Sequence, residues 1–339
     1  MFNKGENLMG TSGRESTVSF RSLMWREWPI ILLAVICFII ATPHFVAAEI
    51  NESAPPNIQA PSDVEADFVV FGDSQGSFGY VWPVAPVFDN ILRLINEIDV
   101  PMAFHVGDFY VGESALAMDV EDQAEYFLSD MEELEITWWP VMGNHDAAGK
   151  GWEITKDIIF DTADTYYSFE TADSHFTILD GFMPGYEGRI SEHQMAWLEN
   201  DLSKTNKPHI FVFVHAPLYS LDDHLGSSMD RDIELRDRLA NLLVENGVDV
   251  VFNGHEHSYA SFGYRGLMQV TTGGSGGHLR GLADFDELEE ECGYNIGEVT
   301  RYKTIKTLHY VCVSTTDEEI EITAYDLEGS IIDQFSVPT

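Results

Sequence analysis

Five short apolar runs, each ended by a polar turn and each separated from the next by a helical stretch, constrain this chain more than anything else in it. The runs lie at 67–71, 103–106, 138–141, 209–214 and 248–252, and helical patterning fills 87–98, 120–135, 191–202 and 233–246 between them. Strands that are apolar throughout, with no alternation, belong to a sheet covered on both faces. Two stretches differ: 165–181 and 308–337 alternate apolar with polar residues between tight turns, which predicts hairpins. There is no internal repeat. The predicted class is α/β, one domain with added meander strands.

The first 48 residues stand apart from that pattern. Lys4, Arg14, Arg21 and Arg26 precede an apolar run at 30–41, and "VAA" precedes Glu49, which is the pattern of an export signal with a small-residue cleavage site. An uncleaved N-terminal anchor over 28–48 is the alternative. Residues 49–65 read as a Pro-rich linker and 66–339 as the domain, expected outside the cytoplasm, secreted or at the cell surface. The chain carries 18 basic and 57 acidic residues; without the leader 14 and 54 remain. Such a surface repels nucleic acid and anionic membranes, so membrane contact is expected only through an uncleaved N-terminal segment. It also repels itself at low ionic strength, and the expectation is adaptation to salt, with stability rising as salt screens the surface. Export gives Cys292 and Cys312 the option of a disulfide, although Cys312 also suits a core strand. "NES" at 51–53 is a glycosylation sequon.

Sites in α/β sheets form beyond the carboxyl ends of strands. There the first run gives "GDSQ" with Asp73 and Gln75, and the second "HVGDFY" with Asp108 and Tyr110. The third gives "VMGNHDA" with Asn144, His145 and Asp146, the fourth "HAPLY" with His215, and the fifth "GHEHSY" with His255 and His257. Each alone is weak, since Gly-Asp after a strand is usually a turn. In "GHEH" two histidines one residue apart on extended backbone point the same way. Accident would have to repeat itself at five strand ends. Imidazole, carboxylate and amide donors together suit iron, zinc or manganese, not a calcium cage. A carboxylate can bridge two such ions about 4 Å apart, which clamps an in-line displacement at phosphorus.

The ordered set "GDSQ", "GD", "GNHD", "VHAP" and "GHEH" resembles the calcineurin-like metallophosphoesterase superfamily. "TYYSFETADSHFTILDG", "SEHQMAWLENDLSK" and "TTGGSGG" resemble its purple acid phosphatase branch. The resemblance covers about 66–337. It implies a four-layer sandwich, two facing mixed β-sheets flanked by helices, and two metal ions (iron, zinc or manganese) bridged by Asp108. It places Asp73 and His257 on the first ion and Asn144, His215 and His255 on the second. His145 would stand beside the leaving group, oriented by Asp146, while a metal-bound hydroxide attacks a small-molecule phosphate mono- or diester. Asn144, Tyr110, His278 and Arg280 are substrate-binding candidates.

The chain departs from the family at one ligand. The family's first motif is usually Asp-x-His, and the third position here is Gln75. The tyrosine that purple acid phosphatases use instead would fall at Val111, with Tyr110 one place early. The Gln75 carbonyl, Tyr110 through a shifted loop, or water are the options for that position. A binding protein that kept the fold without efficient catalysis is the rival function, and a surface adhesion module is a third. "GGSGG" at 273–277 matches a nucleophile-elbow pattern, but no convincing helix follows it. His105 reads as structural.

Overall fold

The F-V-V-F run forms a strand with all four side chains buried, as its unbroken apolarity requires. The computed structural model describes residues 58–61, 64–76, 82–114, 118–160, 164–222, 224–281 and 294–339. The leader, the Asn51 sequon and Cys292 lie outside them. Among the described residues the strands are β1 (Phe68–Phe71), β2 (Met102–His105), β3 (Thr137–Pro140), β4 (Tyr167–Glu170), β5 (Ser174–Leu179), β6 (His209–Val214) and β7 (Val250–Asn253). They continue as β8 (Tyr259–Tyr264), β9 (Leu267–Thr272), β10 (Val299–Ile305), β11 (His309–Thr315), β12 (Glu319–Asp326) and β13 (Ile331–Pro338). The helices are α1 (Phe88–Asn96), α2 (Val120–Met131), α3 (Asn144–Ala147), α4 (Gly151–Thr155), α5 (Glu192–Leu202) and α6 (Ile233–Glu245). Side-chain caps start three of the longer helices: Asp119, Ser191 and Asp232 accept backbone N–H bonds from Asp122, Gln194 and Leu235.

The strands form two mixed sheets, in the orders β13-β12-β11-β1-β2-β3 and β10-β8-β9-β7-β6-β5-β4. Both hairpin stretches fold as predicted, antiparallel at β4–β5 and through β11–β12–β13. The five apolar strands are divided, however: β1, β2 and β3 run parallel in one sheet, and β6 and β7 run parallel in the other. Period and apolarity report burial on two faces, not which sheet a strand joins. The β8–β9 hairpin and β10 were not foreseen.

Three apolar clusters make the layers. One lies between the sheets, one joins α1 and α2 to the outer face of the first sheet, and one joins α5 and α6 to the outer face of the second. At the centre Phe68 packs edge-to-face on Phe104, Phe176 and Phe211, with ring centroids 5.4, 5.4 and 4.9 Å away. Both lateral edges of the sandwich are tied. Asp333 on β13 accepts from Tyr259 (2.8 Å) and Ser261 (2.9 Å) on β8. At the opposite edge Trp139 stacks on Phe169 at 4.1 Å, and the Tyr167 hydroxyl donates to the Pro140 carbonyl. Cys312 is a buried free thiol on β11.

Phe68→Ala is expected to cost about 3–5 kcal/mol, because the aromatic rings packed around it cannot collapse into the space left. Equilibrium urea unfolding measures it; a loss under about 1 kcal/mol would mean that this core is far softer than its contacts suggest.

Candidate metal centre

The loops after β1, β2, β3, β6 and β7 converge where the carboxyl ends of the two sheets meet. Their backbone is unusual there. Asp73 (φ 59°), Asp108 (φ 56°) and His255 (φ 69°) hold left-handed conformations, a cost of about 1–3 kcal/mol each for residues with a Cβ. Neighbouring glycines make the turns possible. Gly107 has φ 99°, and a Cβ on Gly143 would lie 2.3 Å from Asp108 Oδ1. These turns aim the side chains inward, and backbone donors then hold them. His255 N–H donates to both Asp73 oxygens at 3.0 and 3.1 Å, and His145 N–H to Asp108 Oδ1 at 2.8 Å.

Two groups of potential ligands result. Asp108, His215 and His255 form one, and Asp73, Asp108 and His257 form the other; in each, the ligand atoms lie within 4.8 Å of one another. Asp108 belongs to both. His215 Nε2 is 3.3 Å from Asp108 Oδ1, and His257 Nε2 is 3.5 Å from Asp73 Oδ1. Asn144 Oδ1 joins the first group, 2.7 Å from His255 Nδ1 and 3.1 Å from His215 Nε2. Gln75 joins the second, its Nε2 donating to Asp108 Oδ2 and to His257 Nε2, both at 3.0 Å.

The donor set fits metal ions. His215 and His257 each donate Nδ1–H to a backbone carbonyl, of Val106 (2.6 Å) and His278 (2.9 Å), which turns Nε2 toward the cluster. Among the described residues, His255 Nε2 and Gln75 Oε1 are buried without a hydrogen-bond partner. Asp73, Asp108 and Asp146 are buried together, and buried charge needs a counter-charge. Without an ion, protons serve. Burial opposes the charged form of His215, but Asp108 and Asp73 hold it up at about 9. Burial pushes Asp73 up, helped by Asp108. Burial also acts upward on Asp108, yet His215 and His145 together hold it well below the usual carboxylate range. Burial lowers His257 to about 4 and, with repulsion from His215, takes His255 well below its ordinary value.

His145 stands at the rim. Its Nδ1–H donates to the Val111 carbonyl at 2.8 Å, and its Nε2 lies 4.0 Å from Asp108 Oδ2. Asp146 accepts N–H bonds from Asp108, Phe109 and Gly143 at 2.8, 2.8 and 2.9 Å, so it braces the loop that carries Asp108, and Val111 orients His145. Tyr110 turns away from the cluster into the core, where its hydroxyl bonds Thr155. His278 contributes its carbonyl to His257 while its side chain is exposed. Ser275 of "GGSGG" is buried and accepts from Gly72 N–H, buttressing the Asp73 turn from behind. His105 is structural as expected, bonded to Ser74 Oγ and Gly107 N–H, and burial lowers it to about 3.

A cleft of about 640 Å³ opens beside the cluster, lined in part by Asn144, His145, Phe182, His255 and Arg280. It also contains His224, which the sequence reading missed. The His224 ring lies 4.4 Å from that of His255, and its Nδ1 is 2.9 Å from Oδ1 of the buried Asp222. The signal was an Asp and a His close together in the loop after a ligand-bearing strand, "HAPLYSLDDH".

Comparison with known proteins agrees with this geometry. The calcineurin-like phosphoesterase family model matches residues 66–259. Probable purple acid phosphatase 20 of Arabidopsis thaliana is 30% identical over 174 residues, 43% of this chain and 39% of that one. Purple acid phosphatase 22 of the same plant is 31% identical over 163 residues, 44% and 36% of the two chains. The chain thus spans about two fifths of the length of these curated relatives. The structure of purple acid phosphatase PPD1 from yellow lupin (Lupinus luteus) seeds superposes with TM-score 0.64 at 17% identity, covering 82% of this chain and 55% of that one, which shows a shared fold. The family model takes in more than half of the chain and both ligand groups up to His257, so this chain belongs to the calcineurin-like metallophosphoesterases, as a distant homologue of the purple acid phosphatases.

Proposed function

We propose that the chain is an exported phosphoric ester hydrolase working with two metal ions of the iron, zinc or manganese type. One observation carries the reading: two ligand groups share Asp108, and one of them, through Asn144 and His255, lines a cleft together with His145. Asp73, Asp108, His257 and Gln75 would hold one ion, and Asp108, Asn144, His215 and His255 the other. When bound, such ions supply Lewis acidity to a phosphoryl group and lower the pKa of a water.

The chain's own residues do the rest. His145 has Nδ1–H committed to Val111, so Nε2 is the atom that passes a proton to the leaving oxygen. His224, steered by Asp222, stands on the other side of His255 and orients a phosphoryl oxygen. Phe182 and Pro184 line the cleft and reduce water around the ester. Export rests on the leader pattern at 1–48.

A second reading, a binding protein without efficient catalysis, is favoured by Gln75. Its amide N–H donors already satisfy Asp108 and His257. With an ion present the preference reverses, because a carbonyl oxygen attracts the ion and an amide N–H does not. Elemental analysis of the leaderless protein, paired with a phosphate-release assay, separates the two. Two equivalents with turnover support the hydrolase. One equivalent that metal addition does not raise, without turnover, would leave the binding protein.

A further inference from the structure

The chain is very acidic, yet the cleft is not. Among its described lining residues Glu187 is the one carboxylate, against Arg231 and Arg280 and three histidines. Five other arginines of the domain, Arg93, Arg236, Arg238, Arg265 and Arg301, have carboxylate partners, and Arg189, outside the cleft lining, donates to the Gly185 carbonyl. Among the described residues neither Arg231 nor Arg280 has a carboxylate partner. Arg231 donates to the Glu187 carbonyl at 3.3 Å. Backbone N–H bonds hold the Glu187 carboxyl below its ordinary value, and Arg231 helps without forming an ion pair. Among the described residues Arg280 Nε is buried without a hydrogen-bond partner. With 57 acidic residues to 18 basic ones, a cleft that keeps two guanidinium groups out of ion pairs is unusual. At Arg280 it is costly, since a buried donor without a partner loses its hydration, while Arg231 is exposed at the cleft. Guanidinium is also the side chain whose fork fits phosphate and carboxylate.

The scissile phosphate belongs beside the ligand groups, His145 and His224, and the rest of the cleft is left for the alcohol part of the ester. We propose that Arg231 and Arg280 bind a second anionic group there, so that the preferred substrates are phosphate esters whose alcohol carries its own phosphate or carboxylate. This rests on the phosphoesterase reading. It also has a sign that the protein's overall charge opposes: without these arginines, extra negative charge on a substrate is penalised by the acidic exterior.

The test compares phenyl phosphate, 4-carboxyphenyl phosphate and 1,4-phenylene bisphosphate on the metal-loaded protein at constant ionic strength. The substituted esters are expected to show kcat/KM higher by about 10- to 100-fold, mainly through KM, as charge-assisted hydrogen bonds would give. The bisphosphate leading identifies a phosphate as the second group; the carboxylate leading identifies a carboxylate. In the Arg231→Gln/Arg280→Gln double variant the ratio between substituted and plain esters is expected to fall to one or below. Equal turnover of all three, or a preference that survives the double variant, overturns the proposal and leaves the phosphoesterase reading intact. Calorimetry with phenylphosphonate and 4-carboxyphenylphosphonate needs no turnover: tighter binding of the second supports the arginine site, and equal binding refutes it. No turnover of any ester would count against the phosphoesterase reading alone.

Discussion

Asp108→Asn is expected to remove bound metal and to lower phosphate release by more than about 10³-fold, because a single change weakens both ions' sites. Asparagine is the right test. It keeps the size of the side chain and tolerates the left-handed backbone at φ 56°, whereas alanine would add strain to the loss of the ligand. Without metal the same variant is expected to melt lower. Asp108, with Asp73, keeps the buried His215 protonated, and its own carboxyl is held well below the usual range. Its loss leaves a buried charge unpaired, and relief of its upward push on Asp73 and Asp146 offsets only part of that. The same variant in added metal should lose the stabilisation that the parent gains from binding. Two equivalents of metal retained by Asp108→Asn would remove the bridging role assigned to this residue.

His145→Ala is expected to act on turnover and leave metal content alone. General acid catalysis contributes about 10²- to 10⁴-fold, and that is the expected fall in kcat. The fall should depend on the leaving group. An ester of a poorly acidic alcohol needs the proton from Nε2, while a nitrophenyl ester does not, so the variant should lose far more activity on the first. Parallel metal analysis is essential, because His145 N–H also donates to Asp108 and its ring stands 4.0 Å from Asp108 Oδ2. The backbone donor survives the substitution. A variant that lost metal and activity together would move His145 from proton donor to part of the metal-holding frame.

Asp146 shows how a motif can be legible while the work of one residue in it is not. "GNHD" announces a site, and the neighbouring Asp invites a pairing with His145. In the fold its carboxylate accepts from three backbone N–H groups, buried donors that need an acceptor and that no motif announces. Tyr110 is a similar case. Sequence distance from Asp108 left open whether it could reach the cluster, and the direction of the turn sent it to Thr155. His224 carried only a weak signal, the Asp and His together in "HAPLYSLDDH", because no spacing rule links a loop residue to a site that its loop folds back upon.

By itself the sequence determined the alternation of buried strands and amphipathic helices, the hairpins at 165–181 and 308–337, and the set of polar residues at the strand ends. These follow from local period and from the chemistry of side chains, which a single chain carries openly. Only the tertiary structure decided that the five apolar strands divide between two sheets, that Asp108 lies within reach of both ligand groups, and that Gln75 faces them with its amide. It alone brought His224, Arg231 and Arg280 to one cleft. Such facts depend on which strand ends meet across the sandwich and on left-handed turns at Asp73, Asp108 and His255, and packing of the whole sandwich sets both.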